Sequence, residues 1–271
     1  MRSMLFAGAT RPDLVAKLDR SGPDAVVIDL EDAVPVESKL EARAALRELI
    51  GTISGPKLFV RVNAPGTSWF ADDIVAVSSL PITGVVVPKV EAVDDVALAR
   101  AALGERAELV AGIESARGVA NVEAILAETA PAAAYFGAED YIADLGGRRS
   151  AAGEEALYAR SRVALAARLG GVAAIDQVVV DFRDEGAFRR DAESGRAIGY
   201  RGKLCIHPSQ VAIANEVFGA SAAEVERARA LLAAWEEGAA RGFAAVEFEG
   251  SMIDGPAVRM ARDTIERGGG A

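Results

Sequence analysis

Acidic side chains are the main candidates for chemistry in this chain, and they gather where apolar runs stop. The segment VVIDLEDAV (26–34) begins as a buried strand and then places Asp29, Glu31 and Asp32 within four positions. Carboxylates leaving a core must be solvated, paired or given to a cation. Two more acids close later apolar runs, Glu114 in GIES and Asp140 in GAED. On neighbouring strands, about 4.8 Å apart, two such groups repel and raise one another's pKa unless a cation lies between them. A hard divalent ion held by one or two carboxylates, waters and substrate oxygens is the Mg²⁺ style of binding. The alternative is a rim salt bridge with Lys89 or Arg61.

The basic candidates are few. Arg61, inside the apolar run FVRVN, either pairs with Asp29 or Glu31 or clamps a carboxylate or oxyanion with its forked donors. Lys89 follows Pro88 and is placed to pair with Glu114 or Glu91; acids around it would raise its pKa and disfavour Schiff-base chemistry. His207 in CIHPSQ is the single histidine and is expected to cap the next helix rather than act as a base. With one histidine and one cysteine, Cys205, the chain builds no multi-histidine or Cys-rich zinc site and no intrachain disulfide. Cys205 in KLCIH reads as a small buried hydrophobe. Arg148 and Arg149 sit in a Gly-containing loop and are expected to be solvated, while Arg2, Arg11 and Lys17 could meet a phosphate near the first strand.

The elements that must position these groups follow from periodicity. Short apolar runs recur at 3–9, 25–32, 57–63, 84–90, 108–115, 133–140, 174–182 and 203–208, separated by segments with apolar residues at helical spacing. Alternating strands and helices build a parallel sheet, and eight units in this length suggest a closed (β/α)₈ TIM barrel. No GxGxxG follows the first strand, which weakens a dinucleotide-binding reading. Barrel enzymes gather their chemistry at the C-terminal strand ends. That rule converges Asp29, Glu31, Asp32, Arg61, Asn63, Lys89, Glu114, Glu139, Asp140 and His207 on one rim. Residues 1–220 are therefore expected to form the barrel, and 221–271 a C-terminal helical extension whose Gly268–Ala271 tail frays.

Bulk properties set limits. The chain has 271 residues, is 51% hydrophobic and carries a formal charge of −10, which weighs against nucleic acid or an anionic membrane as partner. No apolar run approaches the roughly 20 residues of a membrane span, and the N-terminus MRSMLFAGATRPD lacks a signal-peptide pattern. A cytoplasmic location is expected.

Taken in order, RSMLFAGA, DAVVIDLEDAVP, KLFVRVN, GVVVPKVE, GIESARGV, YFGAEDYIADLG, GKLCIHPSQV and GSMIDGPAVRMA resemble the citrate lyase beta-subunit-like family of CoA-thioester lyases, which includes malyl-CoA and citramalyl-CoA lyases. The resemblance runs from residue 2 to about 262. It implies that Glu114 and Asp140 bind Mg²⁺, with Mn²⁺ as an alternative ion, and that Glu114 also faces substrate. It implies that Arg61 contacts the substrate carboxylate or thioester oxygen, and that Glu31 and Asp32 lie by the metal's waters. It implies that Asp254 of the SMID motif reaches a neighbouring subunit's site as an acid/base group, within a homotrimer or hexamer. The opening FAGA departs from relatives that carry Pro at or near Ala9, in a loop that shapes the CoA entrance.

The expected reaction is Mg²⁺-dependent cleavage of a citramalyl-CoA or malyl-CoA type 3-hydroxyacyl-CoA to acetyl-CoA and pyruvate or glyoxylate, reversible as a Claisen-type condensation. The rival readings are a subunit of a citrate lyase complex, a metal-dependent 2-oxo acid aldolase without CoA, and a ligand-binding barrel that has lost turnover.

Overall fold

The alternation of apolar runs and amphipathic segments closes on itself. The computed structural model describes residues 1–104, 107–150 and 152–269. Its eight parallel strands are β1 (Ser3–Gly8), β2 (Ala25–Asp29), β3 (Lys57–Arg61), β4 (Gly84–Val87), β5 (Glu108–Ile113), β6 (Ala133–Phe136), β7 (Ala173–Asp176) and β8 (Gly202–Cys205). Each pairs with the next and β1 pairs with β8, so the sheet is a closed barrel, as the periodicity implies. Helices α1 (Pro12–Val15), α2 (Lys39–Ile50), α3 (Phe70–Val77), α4 (Val93–Leu103), α5 (Ala116–Thr129), α6 (Ala138–Asp144), α7 (Glu154–Gly170), α8 (Glu185–Ile198) and α9 (Pro208–Phe218) fill the connections.

Local chemistry sets these boundaries. Pro12 occupies the first helical positions of α1, where a missing N–H costs nothing. The Ser115 hydroxyl accepts from the Gly118 N–H and starts α5, and the Asp184 carboxylate accepts from the Ala187 N–H and starts α8. Gln177 leaves the sheet at the end of β7, its amide bound to Asp191 on α8. The apolar run 174–182 is therefore strand only as far as Asp176.

Strand parity aims the chemistry. Met4, Ala25, Val27, Phe59, Val86, Val110, Ala133, Tyr135, Ile175 and Leu204 pack into one interior cluster. Side chains two positions apart on a strand share a face. Asp29 therefore continues the Ala25–Val27 line, Arg61 follows Phe59, and Glu114 follows Val110, so all three reach the mouth of the barrel. Cys205 is fully buried, and its pKa is pushed up to about 12 by burial, which agrees with an inert packing role.

The chain divides into two compact units, Met1–Asn215 and Glu216–Ala271. The second contains α10 (Ala222–Ala240), a hairpin of β9 (Val246–Phe248) and β10 (Ser251–Ile253), and α11 (Gly255–Gly268). Ser221 and Glu224 form a reciprocal capping box at the start of α10. Of the expected Gly268–Ala271 tail, Gly268 ends α11, whereas Gly270 and Ala271 lie outside the described residues. No described helix is long and apolar enough to cross a membrane.

Candidate functional site

Asp29 and Arg61 stand opposite one another in the β2–β3 register. Arg61 Nε and Nη2 donate to the two Asp29 carboxylate oxygens, each at 2.7 Å. The same carboxylate accepts the backbone N–H of Glu31 at 2.9 Å and of Ala33 at 3.0 Å. Burial works to raise the Asp29 pKa, but the Arg61 charge and these bonds more than offset it and hold it below the usual carboxylate range. One buried acid thus fixes both the guanidinium and the turn that carries Glu31 and Asp32. The underside of that turn is held by Lys39 at the start of α2, whose ammonium donates to the carbonyls of Leu30 and Glu31 at 2.7 Å each.

β2 ends at Asp29, so Glu31 and Asp32 belong to the following loop rather than to the strand end. Glu31 is buried and Asp32 exposed. Glu31 Oε2 lies 3.2 Å from Arg61 Nη1 but accepts no hydrogen bond, which leaves a buried oxygen unsatisfied. Burial raises the Glu31 pKa, with Arg61 and Lys89 pulling against it.

Glu114 follows β5 and is buried. Its Oε1 accepts the Lys89 backbone N–H at 3.0 Å and the Tyr135 hydroxyl. Burial, with Glu31 adding like charge, pushes its pKa up to about 7. Repulsion from Asp140 is therefore not the main cause of that shift. Two glycines make room for this carboxylate: a Cβ on Gly137 would lie 2.6 Å from Glu114 Oε2, and one on Gly112 would lie 2.5 Å from Oε1. Tyr135, on the interior of β6, was not singled out in the sequence; its even spacing with Ala133 is the signal that places it there.

Asp140 lies in the first turn of α6, not at the end of β6, because the strand stops at Phe136 and Gly137 turns the chain. Lys89 pairs with neither of its expected partners through its ammonium. Nζ instead contacts Glu31, lies 3.1 Å from Asp32 Oδ2 and 3.6 Å from Asp140 Oδ1. Strand alternation puts Lys89 out of phase with the inward-facing Val86. Its φ of 50° just after β4 breaks that alternation. Burial works against the charged ammonium, but the Glu31 contact and the surrounding acids hold the Lys89 pKa above its ordinary value. Schiff-base chemistry is correspondingly disfavoured.

Within the barrel unit, the remaining candidates take other partners. His207 Nδ1 lies 2.9 Å from the Ser209 hydroxyl, and its ring stacks on Phe182 at 4.7 Å. Its place at the start of α9 fits the capping role. Asn63 donates to Asp73. Arg149 pairs with Glu139 at 3.3 Å and with Glu155 at 3.6 Å, so this loop arginine is not simply solvated. Arg2 is paired with Asp24 and Arg11 with Asp13. Asp254 caps α11 in the C-terminal unit and makes no side-chain capping bond there.

A cavity of about 370 Å³ opens beside Arg61 and Asp29. Phe6, Val178 and Leu204 form apolar wall and Arg11 also lines it. The Phe6 ring lies 5.4 Å from the Arg61 guanidinium carbon. The pocket thus joins an apolar wall to two guanidinium groups and the Asp29 carboxylate.

A model of the HpcH/HpaI aldolase/citrate lyase family matches residues 2–208. The chain belongs to that family. It is a family of carbon–carbon lyases, comprising CoA-ester lyases and citrate lyase beta subunits. A citrate lyase subunit beta-like protein of Deinococcus radiodurans is 52% identical, covering 98% of this chain and 96% of that one. Human mitochondrial citramalyl-CoA lyase is 31% identical, covering 97% of this chain and 84% of the relative. Among solved structures, CitE of Mycobacterium tuberculosis in complex with magnesium, acetoacetate and coenzyme A is 35% identical with a TM-score of 0.84, covering 99% of this chain and 100% of that chain.

The donor set of this family member suits a hard ion bound by few protein ligands. Among the described residues no three His, Cys, Asp or Glu side chains converge to hold a metal by themselves. Around Lys89 instead stand a buried Glu114 in a glycine cradle, a buried Glu31 with one unsatisfied oxygen, and Asp140, all oxygen donors. Two carboxylates supplemented by water and substrate oxygens meet the needs of Mg²⁺ better than those of zinc.

Proposed function

We propose that the protein is an Mg²⁺-dependent lyase cleaving a 3-hydroxyacyl-CoA of the citramalyl-CoA or malyl-CoA type into acetyl-CoA and a 2-oxo acid, pyruvate or glyoxylate. The observation that carries this reading is the Arg61 fork, locked by Asp29 beside an acid cluster and an apolar cavity. The similarity to a human citramalyl-CoA lyase and to a CitE structure holding magnesium and coenzyme A supports the substrate class.

In this reading Glu114 and Asp140 hold the ion. Bound there, Mg²⁺ supplies Lewis acidity toward the hydroxyl and carboxylate oxygens of the substrate. Arg61 binds the carboxylate or thioester oxygen through donors that Asp29 keeps in plane. The buried Glu31, with Asp32, orients water and accepts the hydroxyl proton. As that proton leaves, the carbon–carbon bond breaks, and its electron pair passes to the thioester fragment. The products are a 2-oxo acid and the enolate of acetyl-CoA. Arg61 offsets the developing negative charge. Asp254 of an adjacent subunit returns a proton to the enolate carbon, the C-terminal unit covering the neighbouring barrel in a trimer or hexamer. The small-molecule partners are then the CoA ester and the oxo acid.

A second reading, a beta-type subunit of a citrate lyase complex acting on a citryl thioester, is supported by the 52% identity to a citrate lyase subunit beta-like protein. Purified protein with Mg²⁺ is offered malyl-CoA, citramalyl-CoA and citryl-CoA, with products identified by mass. Release of acetyl-CoA from either of the first two supports the proposal. Turnover of citryl thioester alone selects the second reading. Cleavage of free hydroxy acids without CoA overturns both.

A further inference from the structure

Lys89 touches Glu31, Asp32, Asp140 and Glu114 alike. Its ammonium contacts Glu31 and Asp32 and lies 3.6 Å from Asp140, while its backbone N–H donates to Glu114. Glu31 meets the ammonium through Oε1, while its buried Oε2, without a hydrogen bond, lies 3.2 Å from Arg61 Nη1. A positively charged group at this point does two things. It neutralises carboxylates that would otherwise repel one another, and it stands against any second cation brought among them.

We infer that Lys89 is a built-in competitor for the divalent-cation site. Its ammonium holds Asp140, Glu31 and Asp32 together when no ion is bound and yields Asp140 when one arrives. This rests on the reading of Glu114 and Asp140 as the ion's ligands. The geometry carries it on two counts. Asp140 is the loosest of the three ammonium contacts and lies on the short helix α6, so it is the partner released at least cost. Glu31 is held in place from elsewhere, through its carbonyl by Lys39 and its N–H by Asp29, and remains with Lys89. Lys89 is thus a positioning residue that sets how tightly the ion binds, and it need not touch substrate.

A merely structural lysine and a competing one predict opposite signs. If Lys89 only braces the ligands, its removal loosens them and weakens ion binding. If it competes, its removal tightens binding, because a repelling charge is lost and uncompensated carboxylates are left.

The test uses full-length protein stripped with chelator and titrated with MnCl₂ or MgCl₂ by calorimetry, with Mn²⁺ binding read independently by electron paramagnetic resonance. We expect K89M to bind the ion at least roughly tenfold more tightly than wild type. The ion-free variant should melt lower than wild type and gain more in Tm when the ion is added. K89Q, which keeps a polar head without charge, should shift the same way and decides the matter if K89M does not fold. K89R should bind the ion as wild type does. Unchanged or weaker binding in K89M and K89Q overturns the competition while leaving the metal reading intact. Absence of binding in wild type, K89M and K89Q alike overturns the metal reading and this inference with it.

Discussion

The carboxylate of Asp29 and the guanidinium of Arg61 form a two-pronged pair across adjacent barrel strands, both bonds at 2.7 Å. The pair organises the site because the same acid also anchors the turn carrying Glu31 and Asp32. D29N should therefore act on catalysis and on stability. Removing one partner of a buried charge pair costs about 3–5 kcal/mol. We expect a lower Tm and a fall of at least about a hundredfold in kcat/KM, since a misaimed clamp forfeits orientation as well as charge. R61K, which keeps the charge but loses the fork, should fold and lose most of its activity, measured by steady-state kinetics beside thermal unfolding.

Loss of Glu114 or Asp140 should abolish ion binding without unfolding the barrel. E114Q replaces a carboxylate whose pKa already stands near 7, so its neutral form is close to the isostere and the fold should persist. Calorimetric titration with Mn²⁺ and circular dichroism check the two halves of this expectation. Tight Mn²⁺ binding in both E114Q and D140N would remove them as ligands.

G137A is a steric probe of the same carboxylate. The Gly137 backbone, at φ −98°, is one that alanine adopts freely, so any effect comes from contact. The added methyl would lie 2.6 Å from Glu114 Oε2 and must displace it. We expect weaker Mn²⁺ binding and at least about tenfold lower activity. G66A, at a position with open space and φ 81°, should affect stability alone.

Acid stability should depend on a second ionic cluster away from the mouth. Lys203, fully buried, lies 2.5 Å from Asp191 Oδ2 and 3.0 Å from Asp176 Oδ2, and Arg160 binds Asp176 at 2.6 Å. Burial raises the Asp191 pKa, but Lys203 and Arg160 more than reverse this and hold it below its ordinary value of 3.8. A depressed carboxylate contributes stability that is fully present above the unfolded pKa and is lost as pH falls through the folded one. Unfolding free energy should therefore decline as pH falls below about 4. D191N should be less stable near neutrality and show a flatter acid limb in urea unfolding at stepped pH.

Asp254 can be tested for action across subunits. D254A and R61A should each be nearly inactive alone. Co-expressed, they should recover part of the wild-type rate, because a mixed assembly contains barrels with intact Arg61 facing an intact Asp254. Failure of every mixture to exceed the parent variants would place both residues in one chain's site.

The barrel was legible in the sequence because parity and period are local properties. Alternate residues such as Val27 and Asp29, or Phe59 and Arg61, share a face wherever the strand ends, so residue type and spacing alone aim Asp29, Arg61 and Glu114 into the mouth. The family motifs add the acids and the SMID aspartate in order. Parity fails beyond the strand. The strand-end rule puts Lys89 at the rim with Glu114 or Glu91 as partner, but the left-handed backbone after Val87 brings its ammonium to Glu31, Asp32 and Asp140. Asp140 reads as a strand end until Gly137 turns the chain into α6. The glycines at 112 and 137 carry no chemistry in the sequence; their meaning appears when Glu114 fills the space a Cβ would take. Which charges pair is likewise a question of distance across elements far apart in the chain, and only the closed barrel sets those distances. The sequence by itself determined that Asp29, Arg61 and Glu114 are aimed at the barrel mouth. The tertiary structure decided that Asp29 locks Arg61, that Glu114 is buried to a pKa near 7, and that a lysine stands among the acids.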